Sequence, residues 1–335
     1  MIPPGTLLVA MYGSIGKLGI TGIDCCTNQA IAFASELYGV TLKFMLYFME
    51  MLKPELISKG KGGTQSNISL TVLKSLDVIV PPLAEQERIV ARIEELFSQL
   101  DAAVAELEKA KEKLNIYRQA VLKKAFSQYA SKDIELKEYI DNPQYGTSKK
   151  CDYYSGEQYT AVYRIPNIDF RSGRINHSDI KKAHFTEEEL SSLQLQEGDI
   201  LVIRSNGSRN LVGRASIVSE PDINGVFAGY LIRIRIKRKT DLSPKYLLYA
   251  LSTHEARSYI ERTAKSTSGV NNINSKELLK LKIPICSPEK QQSVINIIET
   301  DLPLFDTISN SIDKTLQQAT SLRQTILKLA FEGQL

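Results

Sequence analysis

The chain reads Tyr117-Arg118-Gln119-Ala120-Val121-Leu122-Lys123-Lys124-Ala125-Phe126 and, 205 residues later, Leu322-Arg323-Gln324-Thr325-Ile326-Leu327-Lys328-Leu329-Ala330-Phe331. Extended back to Gln86 and Gln291, the two stretches are identical at 11 of 41 positions without a gap. Self-similarity over this length indicates an internal repeat. The chain therefore contains two copies of one structural unit, each ending in the same kind of segment.

The similarity continues upstream of these stretches. Gly5-Thr6-Leu7-Leu8-Val9 matches Gly198-Asp199-Ile200-Leu201-Val202, and Ile15-Gly16-Lys17 matches Val212-Gly213-Arg214. The copies are unequal, because residues 133–197 precede Gly198 whereas only four residues precede Gly5. We therefore expect the first copy to begin partway through its unit.

Both copies have the same predicted order of elements. Short β-branched runs punctuated by Gly, Asn and Pro predict a β-rich globule, followed by a helical segment, a Gly/Ser/Asn loop and a strand that ends at proline. Proline then signals the start of a long helix, at Pro82 in the first copy and at Pro288 in the second. The prediction is an α+β chain with a partial first globule at 1–82, a long helix at 83–130, a second globule at 131–286 and a second long helix at 287–335.

The two long helices carry a heptad pattern, in which apolar residues recur at two seam positions. These residues are Ile93, Leu100, Leu107, Leu114, Val121 and Val90, Phe97, Val104, Ala125 in the first helix, and Ile298, Phe305, Ile312, Ala319, Ile326 and Ile295, Leu302, Leu316, Ala330 in the second. Lys111 and Arg118 interrupt the first seam, and Ser309 and Arg323 interrupt the second. Pro303 predicts a kink in the second helix or its division in two. The pattern favours an antiparallel coiled coil over two solvated helices on separate globules, because a repeat naturally forms a pseudo-twofold pair.

Composition limits the class of protein. The chain has 335 residues, 43% of them hydrophobic, which is enough for two modest cores. No run approaches the roughly 18 to 20 apolar residues of a membrane span, and no basic segment opens a secretory signal. Cys25, Cys26, Cys151 and Cys286 lack the spacing of metal ligands, so we expect free thiols in the cytoplasm and no metal site. The net charge of +4 permits a nucleic-acid partner without requiring one.

This order of globules and helices resembles the DNA specificity subunit of type I restriction–modification systems. Ile79 to Val90 is similar to the start of that family's long helix, and Arg323 to Leu335 is similar to its C-terminus. Met11 to Ile20, followed by Thr27-Asn28-Gln29-Ala30, is similar to one class of its target recognition domains. The matches are spread over nearly the whole chain and follow the family's order.

The resemblance implies two target recognition domains that each read half of a bipartite site in double-stranded DNA. It implies that the coiled coil spaces the halves and docks the modification (methyltransferase) subunits, and that the restriction subunits cleave DNA with ATP. The specificity subunit itself would be non-catalytic and would bind no cofactor. The missing start of the first recognition domain keeps an alternative open. A truncated or rearranged subunit would bind the methyltransferase and act as a homodimer on a symmetric site, or would not read DNA.

Motifs for catalysis are weak throughout the chain. Asp141-Asn142-Pro143-Gln144-Tyr145 partly matches the catalytic loop of adenine methyltransferases, but no Gly-rich cofactor turn accompanies it. The segments 13–17 and 59–64 do not fit the phosphate-binding P-loop pattern. Glu135-Leu136-Lys137 lacks the acidic partner of a nuclease site, and the three histidines lie far from any nucleophile pattern. A methyltransferase or a nuclease thus remains only a rival interpretation.

Loops rich in Arg, Lys, Asn and Gly are the candidates for DNA contact. Arg and Lys neutralise phosphates, Arg, Asn and Gln read base edges, and Gly lets the backbone approach closely. The candidates are Tyr12, Ser14, Lys17, Lys59, Lys61, Thr64, Gln65 and Asn67 in the first copy, and Lys149, Lys150, Arg204, Asn206, Ser208, Arg209, Asn210, Arg214, Lys265, Asn271 and Asn272 in the second. The alternative is that these loops are ordinary surface turns. The run from Leu231 to Lys239 puts Arg233, Arg235 and Lys237 on one strand face, which is either a phosphate-contacting face or a solvated half-buried strand.

Overall fold

The computed structural model describes residues 1–34, 36–60, 67–129, 132–267 and 269–335. Helices and strands are both present, as the α+β prediction requires, and the chain divides into two compact units. Unit 1 comprises Met1–Lys111 with Ser311–Leu335, and unit 2 comprises Glu112–Asn310. Each unit therefore contains one globule together with parts of both long helices.

Unit 1 is built on a small antiparallel sheet. Its elements, as far as the described residues show them, are β1 (Leu7–Ala10), β2 (Leu18–Ile20), β3 (Ile31–Ala34), α1 (Leu42–Ser58), α2 (Leu70–Lys74) and the first part of α3 (Leu83–Tyr129). The strand order is β2-β1-β3, with Leu8 opposite both Gly19 and Phe33. Leu7 of β1 packs with Leu56 of α1, because β1 alternates between buried and half-buried residues. This buried face forms the core of the first globule.

Unit 2 has more and shorter elements. They are β4 (Lys132–Glu135), β5 (Gln144–Tyr145), β6 (Thr160–Tyr163), β7 (Ile168–Asp169), β8 (Arg174–Ile175), β9 (Lys181–Ala183), α4 (Glu187–Leu193), β10 (Ile200–Ile203), β11 (Ser205–Asn206), β12 (Ala215–Ile217), β13 (Val226–Phe227), β14 (Leu231–Ile234), α5 (Pro244–Ala250), α6 (His254–Thr263), β15 (Lys265–Thr267), β16 (Val270–Asn272), α7 (Ser275–Leu279), β17 (Lys282–Ile285) and the first part of α8 (Pro288–Phe331). Its largest sheet has the order β5-β14-β10-β12-β8-β7. All four residues of the central strand β10 are buried, so this sheet is covered on both faces.

The internal repeat is visible in the sheets. The order β2-β1-β3 in unit 1 corresponds to β12-β10-β14 in unit 2, and both triplets are antiparallel. Gly5 and Gly198, which the sequence pairs, both precede the central strand in the left-handed region, at φ 80° and 85°. The sheet of unit 2 gains β5, β8 and β7 from residues 144–175, and this segment has no counterpart before Gly5.

A buried glutamine joins each globule to the start of its long helix. Gln86 Oε1 accepts a hydrogen bond from Thr41 N at 2.8 Å, and Gln291 Oε1 accepts one from Ser243 N at the same distance. Each Nε2 donates to two backbone carbonyls, those of Gly39 and Pro81 or of Asp241 and Cys286. Each buried amide thus accepts one hydrogen bond and donates two. Both copies of the repeat therefore contain the same glutamine contact between the globule and its long helix.

The long helices carry the predicted heptads. From Leu100 to Arg118 in α3, the residues withdrawn from solvent are those at seam positions, and the rest are exposed. The charged residues that interrupt the seams are paired across it: Lys111 with Asp313, Arg118 with Asp306 at 3.1 Å, and Arg323 with Asp101 at 2.6 Å. Residue numbers in α3 rise along these pairs as those in α8 fall, which is the order of an antiparallel pair. Helix α8 continues through Pro303, so the expected division of this helix is wrong.

Candidate nucleic-acid interface

Two of the predicted loops of unit 2 meet in a small sheet. The strand order is β11-β16-β15, with Asn206 opposite Asn271 and Ser205 opposite Asn272, while Lys265 also pairs with Asn272. The sheet thus brings together eight of the residues that the sequence singles out: Arg204, Asn206, Ser208, Arg209, Asn210, Lys265, Asn271 and Asn272. The sequence predicts the two loops separately, and their pairing is a result of the fold.

Side chains within the first of these loops fix its turn. Asn206 Oδ1 accepts a hydrogen bond from Ser208 N, and Ser208 Oγ donates to Asn210 Oδ1, both at 2.8 Å. Asn271 Nδ2 donates to the Gly207 carbonyl at 3.0 Å and ties the second loop to the first. Such side-chain bonds hold a loop in one conformation without a regular element. The tip between Gly207 and Asn210 is exposed, so the loop is both ordered and accessible.

The cations around this sheet differ in their surroundings. Arg209 and Lys265 are exposed, and Arg209 donates to the Ala264 carbonyl at 3.3 Å. Arg214 lies over the Phe170 ring, 4.9 Å from its centroid, and its Nε donates to the Asn210 carbonyl. Burial, with Arg257 and Arg118 nearby, lowers the pKa of Arg214 to about 10. Arg214 is therefore positively charged at neutral pH.

The third predicted patch, Lys149 and Lys150, lies beside Arg204 along one cleft. Lys149 is paired with Glu189 at 2.6 Å, and this contact lowers the pKa of the Glu189 carboxyl. Lys150 is exposed, and Arg204 stacks on the Tyr145 ring at 4.4 Å from its centroid. Of the two lysines, only Lys150 is thus without an ion pair among the described residues of unit 2.

Unit 1 contains the counterpart of the loop pairing. Tyr12 forms an antiparallel bridge with Asn67, the position that the repeat matches to Ser205 and Asn272. Tyr12, Ser14, Lys17 and Asn67 are all exposed. Lys59 is the C-cap residue that follows α1, and it pairs with Glu55 at 2.6 Å. The candidates Lys61, Thr64 and Gln65 lie outside the described residues.

The sequence leaves open whether the cations of β14 and of the residues after it contact phosphates or belong to a half-buried strand. Arg235 pairs with the buried Asp199 at 2.6 Å, which raises the pKa of this arginine. Arg233 donates to the Gln194 carbonyl at 3.0 Å, and Lys237 donates to that of Lys137 at 2.7 Å. These cations are used inside the globule, so the contacts favour the half-buried structural strand over a phosphate-contacting face.

Two residues that line the cleft, one basic and one aromatic, are not among the DNA-contact candidates that the sequence indicates. Arg164 and Tyr230 line it together with Arg204 and Lys150. Arg164 follows β6 and Tyr230 precedes β14, in stretches without any Gly/Asn/Lys clustering. A motif search could not find them, because long-range strand pairing alone brings them to Arg204.

Other chemistries find little support in the described parts of the chain. Within them, no group of three or more His, Cys, Asp and Glu side chains is placed to hold a metal ion. Glu135 of the nuclease-like tripeptide is paired with Lys137 at 2.6 Å. Among the same residues, no helix combines the length and apolar character that crossing a membrane requires. The interface offers cations, amides and exposed aromatics, which are groups suited to binding an anionic polymer.

Comparison with known proteins assigns the family. The chain is 28% identical over 309 residues to the type I restriction enzyme EcoKI specificity subunit of Escherichia coli (strain K12), covering 87% of this chain and 65% of that protein. It is 28% identical over 291 residues to the StySPI specificity subunit of Salmonella potsdam, covering 83% and 62%. The chain thus spans less than two thirds of the length of these relatives. A chain from a structural study of type I restriction–modification assembly shares the fold, with a TM-score of 0.70 and 17% identity over 100% of this chain and 83% of its own.

A family model extends this similarity along the chain. The model of the type I restriction modification DNA specificity domain matches residues 1–115 and 128–318. These ranges include both globules and most of both long helices. The chain therefore belongs to the family of type I restriction–modification DNA specificity domains.

Proposed function

We propose that this chain is the non-catalytic, sequence-specific DNA-recognition subunit of a cytoplasmic type I restriction–modification complex. The observation that carries the proposal is the sheet β11-β16-β15, which places two polar, basic loops side by side in unit 2. The bridge between Tyr12 and Asn67 supports an equivalent, smaller surface in unit 1. Two such surfaces in one chain suit a bipartite site in double-stranded DNA.

The groups on the loops suggest a division of labour. Arg209 and Lys265 are exposed cations suited to phosphates, whose neutralisation supplies salt-sensitive affinity. Asn206 and Asn271 carry amide groups whose remaining atoms, Nδ2 of Asn206 and Oδ1 of Asn271, can pair with base edges. The side-chain bonds that fix the loop reduce the entropy lost on binding. Recognition thus begins with electrostatic docking and continues with groove readout.

The second part of the proposal concerns the partners. The family relationship supports modification subunits, which methylate adenines in both half-sites, and restriction subunits, which cleave DNA with ATP. In unit 2 the long helices expose the apolar side chains of Ile116, Tyr117 and Leu304. Exposed apolar side chains on a helix pair are better suited to contact with a protein than to contact with DNA. We therefore assign this surface to a modification subunit.

One observation favours a second candidate function. The sheet of unit 1 has three described strands where that of unit 2 has six, so the described part of the first globule is the smaller of the two. A chain of this kind would bind the methyltransferase through its helices and read DNA through unit 2 alone. Two copies would then form a homodimer on a symmetric site, or the complex would not read DNA.

The test is DNA binding by the chain in complex with its modification subunit. Arg204→Ala and Arg209→Ala are expected to weaken binding to the cognate half-site in fluorescence anisotropy, whereas Lys239→Ala, an exposed cation in a turn away from both loops, is not. Equal affinity of both loop variants and the wild type would remove this loop from the interface. A palindromic site would favour the homodimer.

A further inference from the structure

The cleft beside the recognition loops has a shape and a lining of its own. It encloses about 700 Å³, within the range of about 300 to 1,000 Å³ typical of small-molecule sites. Tyr145, Lys149, Lys150, Arg164, Arg204 and Tyr230 line it. Duplex DNA receives protruding elements into its grooves, and a concavity of this size fits a smaller group.

The charge in this cleft is positive and partly uncompensated. Arg164 is paired with Asp179 at 2.8 Å and Lys149 with Glu189 at 2.6 Å. Arg204 and Lys150 have no carboxylate partner among the described residues of unit 2. The cleft therefore has two cations that an anionic ligand can pair with.

Two arginine nitrogens in the cleft lack a hydrogen-bond acceptor. The Nε atoms of Arg164 and Arg204 are buried and bind no group of the described chain. Arg204 is nevertheless held in place, since it stacks on Tyr145 at 4.4 Å and its Nη1 contacts the Gly229 carbonyl at 3.4 Å. Buried donors without acceptors are costly, so these two guanidinium groups have unused hydrogen-bonding capacity beside the cleft.

An aromatic ring stands at the same place. Tyr230 is 64% exposed, and its carbonyl accepts a hydrogen bond from Arg204 N at 2.9 Å, so its backbone is fixed beside the cation. Exposed tyrosine rings next to basic groups are the elements that bind unstacked bases, because every base offers a π face.

We propose that the cleft binds a single nucleotide unit, with the base stacked on Tyr230 and the phosphate on Arg204 and Lys150. The inference rests on the proposed function and deepens it, because the nucleotide comes from the target strand, turned out of the helical stack at the edge of the recognition loops. A free nucleotide is the other source of the same chemistry, and the experiment separates the two.

The absence of tryptophan from the chain makes a direct test possible. Tyr230→Trp introduces the chain's single tryptophan at the cleft, and Tyr38→Trp, at an exposed tyrosine of unit 1, is its matched control. Each deoxynucleoside monophosphate is titrated against both full-length variants. We expect saturable quenching of the tryptophan emission in Tyr230→Trp and not in Tyr38→Trp. Arg204→Gln in the Tyr230→Trp background should weaken binding at least about tenfold, and Lys239→Gln should not.

Equilibrium dialysis of a radiolabelled deoxynucleoside monophosphate against the unsubstituted chain measures the same binding without an introduced tryptophan. Tyr230→Ala should weaken this binding about 5- to 100-fold. Absence of saturable binding in both measurements would overturn the inference for the free nucleotide.

The DNA source is tested separately, with the cognate duplex carrying 2-aminopurine at one position at a time. A change in emission at one position on binding, absent in Tyr230→Ala, would identify the nucleotide that leaves the stack. Tight duplex binding without any such position would overturn the inference that the cleft takes a nucleotide from the DNA strand. It would leave the proposed function unaffected. No duplex binding at all would contradict the proposed function itself.

Discussion

Replacing Gln291 with alanine tests whether the hydrogen bonds of this buried glutamine stabilise the packing of the second globule against its long helix. Gln291 is 3% exposed and forms three hydrogen bonds, to Ser243 N at 2.8 Å, the Asp241 carbonyl at 3.1 Å and the Cys286 carbonyl at 3.0 Å. Alanine leaves all three backbone groups without their partner. Each buried polar group that loses its partner costs about 1 to 3 kcal/mol.

The expected loss of stability is therefore at least about 3 kcal/mol. For a unit of this size, that loss lowers Tm by at least about 6 °C. It also raises the exchange of the Ser243 amide about 100-fold where that amide exchanges through global opening of unit 2. The neighbouring Gln292→Ala is the matched control, because Gln292 is exposed and its side chain donates to Asn296 on the same helix face.

The assay is urea unfolding followed by circular dichroism, with hydrogen exchange read peptide by peptide. We expect faster exchange in peptides of unit 2 that contain α5 and the start of α8. A Gln291→Ala variant whose free energy of unfolding lies within about 1 kcal/mol of that of Gln292→Ala would show that the three hydrogen bonds do not stabilise unit 2. The equivalent variant Gln86→Ala should destabilise unit 1 in the same way.

Three further predictions concern the seam, the interface and a buried tyrosine. Arg118→Leu leaves Asp306 unpaired and should cost about 1 to 2 kcal/mol in urea unfolding, and adding Asp306→Leu should recover most of that cost; a double variant no more stable than the single one would contradict the pairing. Lys265→Ala should reduce the slope of log K against log salt for DNA binding by about 0.9, and an unchanged slope would exclude a phosphate contact. Burial raises the pKa of Tyr163 from 10.0 to about 12, so its neutral form contributes stability below pH 10 that is lost as pH rises towards 12. The unfolding free energy should therefore fall by up to about 2 kcal/mol more in the wild type than in Tyr163→Phe between pH 9 and 11.5, and parallel curves would contradict this.

The long helices and the repeat could be predicted from the sequence because their signals are local and extended. Seam residues such as Ile93 and Ile326 recur at heptad spacing over dozens of residues, and the structure buries them. The sequence marks Lys111 and Arg118 only as interruptions. Their partners, Asp313 and Asp306, lie about 200 residues away, and only the register of the folded helices brings them together.

The short strands of unit 2 could not be predicted in the same way. Strands β5, β7 and β8 have two residues each, too few for an alternating pattern to be read. They exist because long-range pairing with β14 and β12 satisfies their backbone groups. Pro303 shows the opposite case for one of the two expected outcomes, since the proline does not divide a helix that the seam on both sides stabilises.

The sequence predicts the individual loops of the candidate interface, but it does not predict that they lie side by side on one surface. Arg, Asn and Gly in Arg204 to Asn210 and in Lys265 to Asn272 mark each loop, while the pairing of β11 with β16 depends on residues far apart in sequence. Lys149 was predicted as a basic group for DNA, yet Glu189, on the neighbouring helix α4, pairs with it. Charge in a sequence gives the type of group, and the fold determines whether that group is already paired.

DNA reading by the loops of unit 2 can be tested in cells that express the chain with its modification subunit, by mapping methylated adenines. We expect one defined motif for the wild type, and for Arg209→Ala we expect loss or relaxation of methylation through the half read by unit 2. Any half read by unit 1 should stay unchanged. The same motif methylated to the same extent in both cells would contradict DNA reading by this loop.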